Sequence, residues 1–130
     1  MGSRGWRLAA VAAGLGALAV ALGAFGAHAL AEAVSPDRLG TWRTAAQYHL
    51  AHALAGVGAG ALGALRGSPA ALWAGRLFLA GVVLFSGSLY ALVLTDVGAL
   101  GAVAPLGGTA FIVGWGALAV ALWRAADGPR

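Results

Sequence analysis

Residues 72–95 read LWAGRLFLAGVVLFSGSLYALVLT, 24 residues with one charge, Arg76. At 1.5 Å per residue a helix of that length spans ~36 Å, enough to cross a ~30 Å hydrocarbon core with some tilt. The apolar residues do not alternate with polar ones, as the strands of a membrane barrel would require. Backbone in lipid must bond to itself, so the segment reads as a transmembrane helix. Working outward, three further apolar stretches run over about residues 6–31, 42–65 and 98–123. The expectation is an all-α, integral membrane four-helix antiparallel bundle, a single domain over residues 1–130.

Composition agrees. Hydrophobic residues make up 61% and charged residues 9% of the 130, with a mean hydropathy of +0.87; soluble domains carry about 25% charged residues. A small soluble domain leaves much of its surface in water and could not hide so much apolar material. Disorder is excluded for the same reason. The pI of about 11.2 would suggest nucleic acid in a soluble chain, but the eight arginines are scattered singly at the edges of apolar runs. That pattern signals topology instead, with the lipid bilayer as the partner and no nucleic acid. With no cysteine, disulfides and thiolate metal sites are excluded.

The first stretch superficially resembles a secretory leader, with Arg4 and Arg7 before an apolar run and the A-x-A form at Ala27–Ala29. Its apolar region exceeds the 7–15 residues typical of a signal core, so it reads as a retained helix. The linkers are short. Ser35-Pro36 and Ser68-Pro69 each place a capping serine before a proline at the first position of a short helical turn. The third, around Asp96–Gly98, forces the last two helices into an antiparallel hairpin.

The N-terminus, the second linker and the C-terminus carry Arg4, Arg7, Arg66, Arg124 and Arg130, with Arg76 just inside. The opposite side has Arg38 and Arg43, offset by Glu32, Asp37 and Asp96. By the positive-inside rule both termini are expected in the cytoplasm, and the chain in the cell inner membrane. Trp6, Trp42, Trp73 and Trp123 fall at the ends of the stretches, where an aromatic belt would place them. Arg43 could pair with Glu32 or Asp37, and Asp96 would only end the third helix.

Small residues are expected to hold the helices together. Gly56, Gly60 and Ala64 form a small-xxx-small stripe on the second helix; Ala12/Gly16 and Ala19/Gly23/Ala27 have the same spacing on the first. Such stripes also suit self-association or a membrane-protein partner. Gly107-Gly108 after Pro105 reads as a close-packing turn.

Polar residues gather at one depth. His28 and Glu32 end the first helix; Thr44, Gln47, Tyr48, His49 and His52 open the second; Ser86, Ser88, Tyr90, Thr95 and Asp96 close the third. If the second helix starts near Trp42, His49 lies roughly 10 Å and His52 roughly 15 Å along it, the depths of Tyr90 and Ser86 measured from Asp96. Ionisable groups inside a membrane are costly and face the bundle interior or a wet cavity. The simplest arrangement is a polar chamber near the outer side.

The segments GAFGAH (23–28), TAAQYHLAHA (44–53), FSGSLY (85–90), PLGG (105–108) and FIVGW (111–115) together resemble the YgdD/YwdK family, small four-helix inner-membrane proteins of unknown function with mitochondrial relatives in animals. The resemblance covers all four helices. It implies four membrane helices and the same polar positions, and carries over no activity and no cofactor.

Phosphate-loop, serine-triad and dinucleotide motifs are absent, so no catalytic residue is expected and the chain reads as a non-enzymatic structural or accessory membrane component. In that reading His49 and His52 are interhelical glue. The alternative is a site at His28, Gln47, Tyr48, His49, His52, Ser86, Ser88 and Tyr90 for a small amphipathic ligand, a lipid or quinone, or for a cation. Two histidines could ligate haem, but so small and Gly/Ala-rich a bundle packs too tightly for it. Zinc needs three or four ligands, and no H-E-x-x-H spacing is present. No pair of interrupted helices suggests a transporter.

Overall fold

A computed structural model describes residues 2–128. It contains four long helices: α1 (Ser3–Leu30), α2 (Pro36–Arg66), α3 (Pro69–Thr95) and α4 (Ala104–Ala126). Arg130, counted above with the cytoplasmic arginines, lies outside the described residues.

Two serine caps set where α2 and α3 begin. The Ser35 hydroxyl accepts from Arg38 N at 3.2 Å, and Ser68 from Ala71 N at 3.2 Å, each followed by proline at the first helical position. The Ser35-Pro36 start leads straight into α2, which therefore begins six residues before the expected Trp42. Trp42 is consequently not a belt residue. It sits more than a turn inside α2, 1% exposed, with its indole N–H donating to the Leu22 carbonyl of α1 at 2.8 Å. Each histidine likewise moves ~9 Å further along the helix than the earlier start implied. The last connector also differs from expectation. A 3-10 turn, Gly98–Ala102, precedes α4, whose α-helical part starts at Ala104 with proline in its first turn. Pro105 lacks an N–H and fits only where none is needed.

Among the described residues three helical segments are long and apolar enough to cross a membrane: Ser3–Leu30, Pro69–Thr95 and Gly98–Ala126. The expectation of four such spans is corrected at α2, which is long enough but whose His49, His52, Tyr48 and Gln47 dilute its hydropathy. Its position explains why it can carry them. α2 and α3 form the centre of the molecule, α1 leans on α2, and α4 leans on α3. A helix covered on two sides by neighbours can bury polar groups that a lipid-facing one cannot. The outer faces of α1, α3 and α4 present Val11, Val20, Val83, Leu94, Ile112, Val113 and Leu122 to the surroundings, an apolar exterior that water would not tolerate.

Contacts between neighbours run in opposite chain directions. On the α1–α2 seam Gly5 meets Gly60 and Ala64, Ala12 meets Gly56, and Gly16 meets Ala53. The α2 stripe thus lies against Gly5, Ala9 and Ala12. The expected Ala19/Gly23/Ala27 run is not the partner stripe: Ala19 is buried, but Gly23 faces open space and Ala27 is exposed. On the α3–α4 seam Phe85 meets Gly107 and Phe78 meets Gly114. Gly107 is buried against the α3 backbone, whereas Gly108 faces open space.

Two wide π-helical turns interrupt the regular winding, Gly26–Leu30 in α1 and Val82–Gly87 in α3. At the first, the Trp42 indole shares the Leu22 carbonyl with the Gly26 N–H, and its ring occupies the space a side chain at position 26 would need, so Gly26 is required there. In α3 the Ser88 hydroxyl donates to the Phe85 carbonyl at 2.9 Å. At the end of α3, Asp96 adopts a left-handed conformation (φ 58°), a cap position usually held by glycine and tolerated by aspartate. Its carboxylate accepts from Arg38 at 2.6 Å. Arg38, not Arg43, therefore makes the ion pair, and Asp96 ties the start of α2 to the end of α3. Being largely exposed, the pair adds at most about 1 kcal/mol.

Candidate functional site

The polar residues of α2 and α3 divide into two ring clusters. His49 and His52 are three residues apart, so their directions differ by about 60° around the helix. That is enough to send the two imidazoles to different neighbours.

The first cluster joins α1, α2 and α3. Phe25, Trp42 and Tyr90 are packed in series, with centroid separations of 5.7 and 4.6 Å. The Tyr90 hydroxyl hydrogen-bonds His49 Nδ1 at 2.9 Å. Around them Leu30, Leu92 and Val93 complete an apolar jacket. His49 itself is 2% exposed, and its Nε2 has no hydrogen-bond partner among the described residues. The Leu15 carbonyl of α1 is turned toward the imidazole but does not reach hydrogen-bonding geometry with Nε2.

The second cluster joins α2, α3 and α4. His52 stacks on Phe111 with ring centroids 3.6 Å apart and is flanked by Tyr48, Phe78 and Trp115. Its hydrogen bonds determine its tautomer. The Tyr48 carbonyl can only accept, so His52 Nδ1 carries the proton and donates to it at 2.7 Å. The Trp115 indole N–H can only donate, so His52 Nε2 presents its lone pair at 3.0 Å. The ring is neutral, with both nitrogens satisfied. Nearby, the fully buried Ser86 donates its hydroxyl proton to the Ala45 carbonyl at 2.7 Å, crossing from α3 to α2.

Of the eight candidate residues, the structure brings five together in or beside these clusters, Tyr48, His49, His52, Ser86 and Tyr90, while Ser88 bonds back to the Phe85 carbonyl of its own helix. His28 and Gln47 are exposed, and among the described residues neither makes a side-chain hydrogen bond. Among the described residues no three His, Cys, Asp or Glu side chains gather as a metal site would need. Where an open polar chamber was expected, aromatic rings fill the interior between α2, α3 and α4.

Sequence reasoning did not single out Trp42 and Trp115 as parts of these clusters. A signal existed for Trp115: it is the one tryptophan of five placed in the middle of an apolar stretch. An indole N–H that deep requires an acceptor, and the nearest level with one is that of the histidines. Trp42 was concealed by the misplaced start of α2.

Long apolar helices, a largely apolar exterior and histidines and serines buried between them define an all-helical integral membrane protein. The chain belongs to the family described as Protein of unknown function (DUF423), which matches residues 22–108. It is 50% identical to the UPF0382 membrane protein YwdK of Bacillus subtilis over 105 residues, 80% of this chain and 85% of that one. It is 42% identical to the UPF0382 membrane protein SAB0533 of Staphylococcus aureus over 109 residues, 82% of this chain and 87% of that one. A UPF0382 membrane protein of Staphylococcus epidermidis is 43% identical over 106 residues, 80% of this chain and 84% of that one. The family resemblance read from the sequence motifs is thereby borne out. No solved structure matches the chain.

Proposed function

We propose that the chain is a non-enzymatic structural or accessory component of the bacterial inner membrane, an antiparallel four-helix bundle with both termini cytoplasmic. In this reading the two ring clusters serve to lock α2 against its neighbours. The observation that carries it is His52, whose two nitrogens are both consumed by partners within the protein, leaving nothing to offer a substrate. Ser86 is likewise spent on Ala45. Trp115→Phe removes one interhelical hydrogen bond and is expected to lower stability in detergent by about 0.6–2 kcal/mol. His52→Leu also loses the ring stack and strands the Trp115 N–H, so it should cost more. Thermal unfolding of both variants reads this directly, and melting curves unchanged from the parent would contradict a locking role.

Orientation is supported by the arginines. Arg4, Arg7, Arg66 and Arg124 lie at one end of the helices, and Arg38 and Arg43 at the other, with Arg38 already neutralised by Asp96. A reporter fused at residue 130 should read cytoplasmic; an exterior signal would reverse the topology.

His49 favours a second reading. A buried imidazole nitrogen without a partner costs about 1–3 kcal/mol, and a small ligand, a lipid or quinone headgroup or a cation, would relieve that cost. Native mass spectrometry of gently purified protein tests it. A stoichiometric species lost in His49→Leu is the expected signature, and a parent protein free of any adduct removes this reading.

A further inference from the structure

Four arginines at the end of the molecule opposite the ring clusters line two clefts. The larger, about 600 Å³, lies where the start of α1, the end of α2 and the start of α3 converge; Ser3, Arg4, Trp73 and Arg76 border it. Gly63 and Gly67 also line it and place no side chains there. The second cleft, about 400 Å³, shares Pro69 with the first and is bordered by Arg66, Ser68 and Arg124. None of the residues lining either cleft is acidic. Among the described residues the one ion pair is Arg38 with Asp96, at the far end, so within the described residues these four guanidinium groups have no carboxylate partner.

Arg76 shows how the larger cleft is prepared. It lies nearly two turns inside α3, and its guanidinium is held over the exposed Trp73 ring, 5.1 Å from the centroid. Stacking of this kind restricts a flexible side chain while leaving its N–H donors free. A tryptophan and an arginine at this depth mark the headgroup layer, where the stem lies in the acyl region and the charge reaches outward. Arg4 approaches from α1 on the other side. Two unpaired guanidinium groups facing one concave space suit a phosphodiester, whose oxygens accept from both forks.

We infer that the cleft between Arg4 and Arg76 is a binding site for the headgroup phosphate of an anionic glycerophospholipid. The acyl chains then lie along the exposed apolar surface of α1 and α3. Basic pockets between helices on the cytoplasmic side are suited to such headgroups. The site is distinct from the ring clusters and does not depend on their role.

The test is lipid binding to the full-length, delipidated protein in a neutral detergent, read by native mass spectrometry with phosphatidylglycerol and phosphatidylcholine titrated separately. Phosphatidylglycerol is expected to bind more tightly than phosphatidylcholine. Arg4→Gln and Arg76→Gln should each weaken phosphatidylglycerol about five-fold, while Arg7→Gln, at the same end but outside the cleft, changes it by less than about two-fold. All three arginines are exposed, so the variants keep the fold, which unchanged melting without lipid verifies. Equal affinity for the two lipids would overturn the proposal. So would an Arg7→Gln loss as large as that of Arg76→Gln, which indicates diffuse surface charge. Displacement of the lipid by millimolar inorganic phosphate would overturn it in favour of a free-anion site.

Discussion

Gly60→Leu is expected to separate α1 from α2 and lower stability by about 3 kcal/mol, a drop of roughly 10 °C in melting temperature in detergent. The reason is what a side chain at position 60 would meet. A Cβ there comes within 2.7 Å of Ala9 N and Gly5 O and within 3.0 Å of Ala9 Cα. These are backbone atoms of α1, which cannot rotate aside as a side chain could. The approach is reciprocal, since a Cβ at Gly5 would lie 2.5 Å from Gly60 O and Ala64 N. Relief therefore requires the whole seam to open, from Gly5 to Gly16. In lipid, helix association relies on such packing because no hydrophobic gain remains to drive it. Gly58→Leu is the matched control: it lies on the same helix two residues away, with nothing within 4 Å of its Cβ position. Equal melting temperatures for the two variants would show that the seam does not hold α1 in place.

Gly107→Leu is expected to have a comparable effect, about 3 kcal/mol, on the other side of the molecule. Its Cβ position falls against the backbone N and Cα of Phe85 and against that residue's Cβ. Phe85 belongs to the π turn of α3, and its ring packs on both Tyr48 and Phe111 at centroid distances of 4.9 and 5.6 Å. Displacing α4 there disturbs the second ring cluster as well as the seam. Phe111 would be carried away from His52, and Trp115 from its acceptor. Gly108→Leu, the adjacent residue, faces open space and should leave the melting temperature near that of the parent. The loss can be resolved further by tryptophan fluorescence, because Trp115 changes its surroundings only in the first variant. If the two neighbouring substitutions behaved alike, close approach of α4 to α3 would not be what this pair of glycines provides.

These two glycines show how much of the molecule could be read from residues alone. Both stood out in the sequence, Gly60 by its spacing and Gly107 by its place after Pro105. Spacing named the α2 stripe but not its partner, which proved to be Gly5, Ala9 and Ala12 rather than the Ala19/Gly23/Ala27 run. In a chain this rich in glycine and alanine many stripes have suitable spacing. Which two meet depends on helix register. Gly107 and Gly108 could not be separated by sequence either, because a 100° step around the helix puts one on the seam and the other outside. The histidines show the same division. That both lie inside the helix was legible, whereas their depth, displaced by ~9 Å when α2 proved to start at Pro36, and the neighbour each would meet were not.

Hydropathy alone determined the all-helical class, the count of four helices and the membrane setting, because long apolar runs without alternation leave few ways to satisfy a backbone in lipid. The serine-proline caps, local in sequence, placed the starts of α2 and α3 in the structure, although the first was read as a short turn rather than as the opening of α2. Only the tertiary structure decided that α2 is central, and so free to be more polar than its neighbours. It alone placed Trp42 inside, separated His49 from His52 and gave Trp115 its acceptor. Each of those outcomes depends on contacts between residues 20 to 63 positions apart. Hydrophobic periodicity is a property of one helix at a time, whereas the direction in which a buried ring finds its partner belongs to a pair of helices.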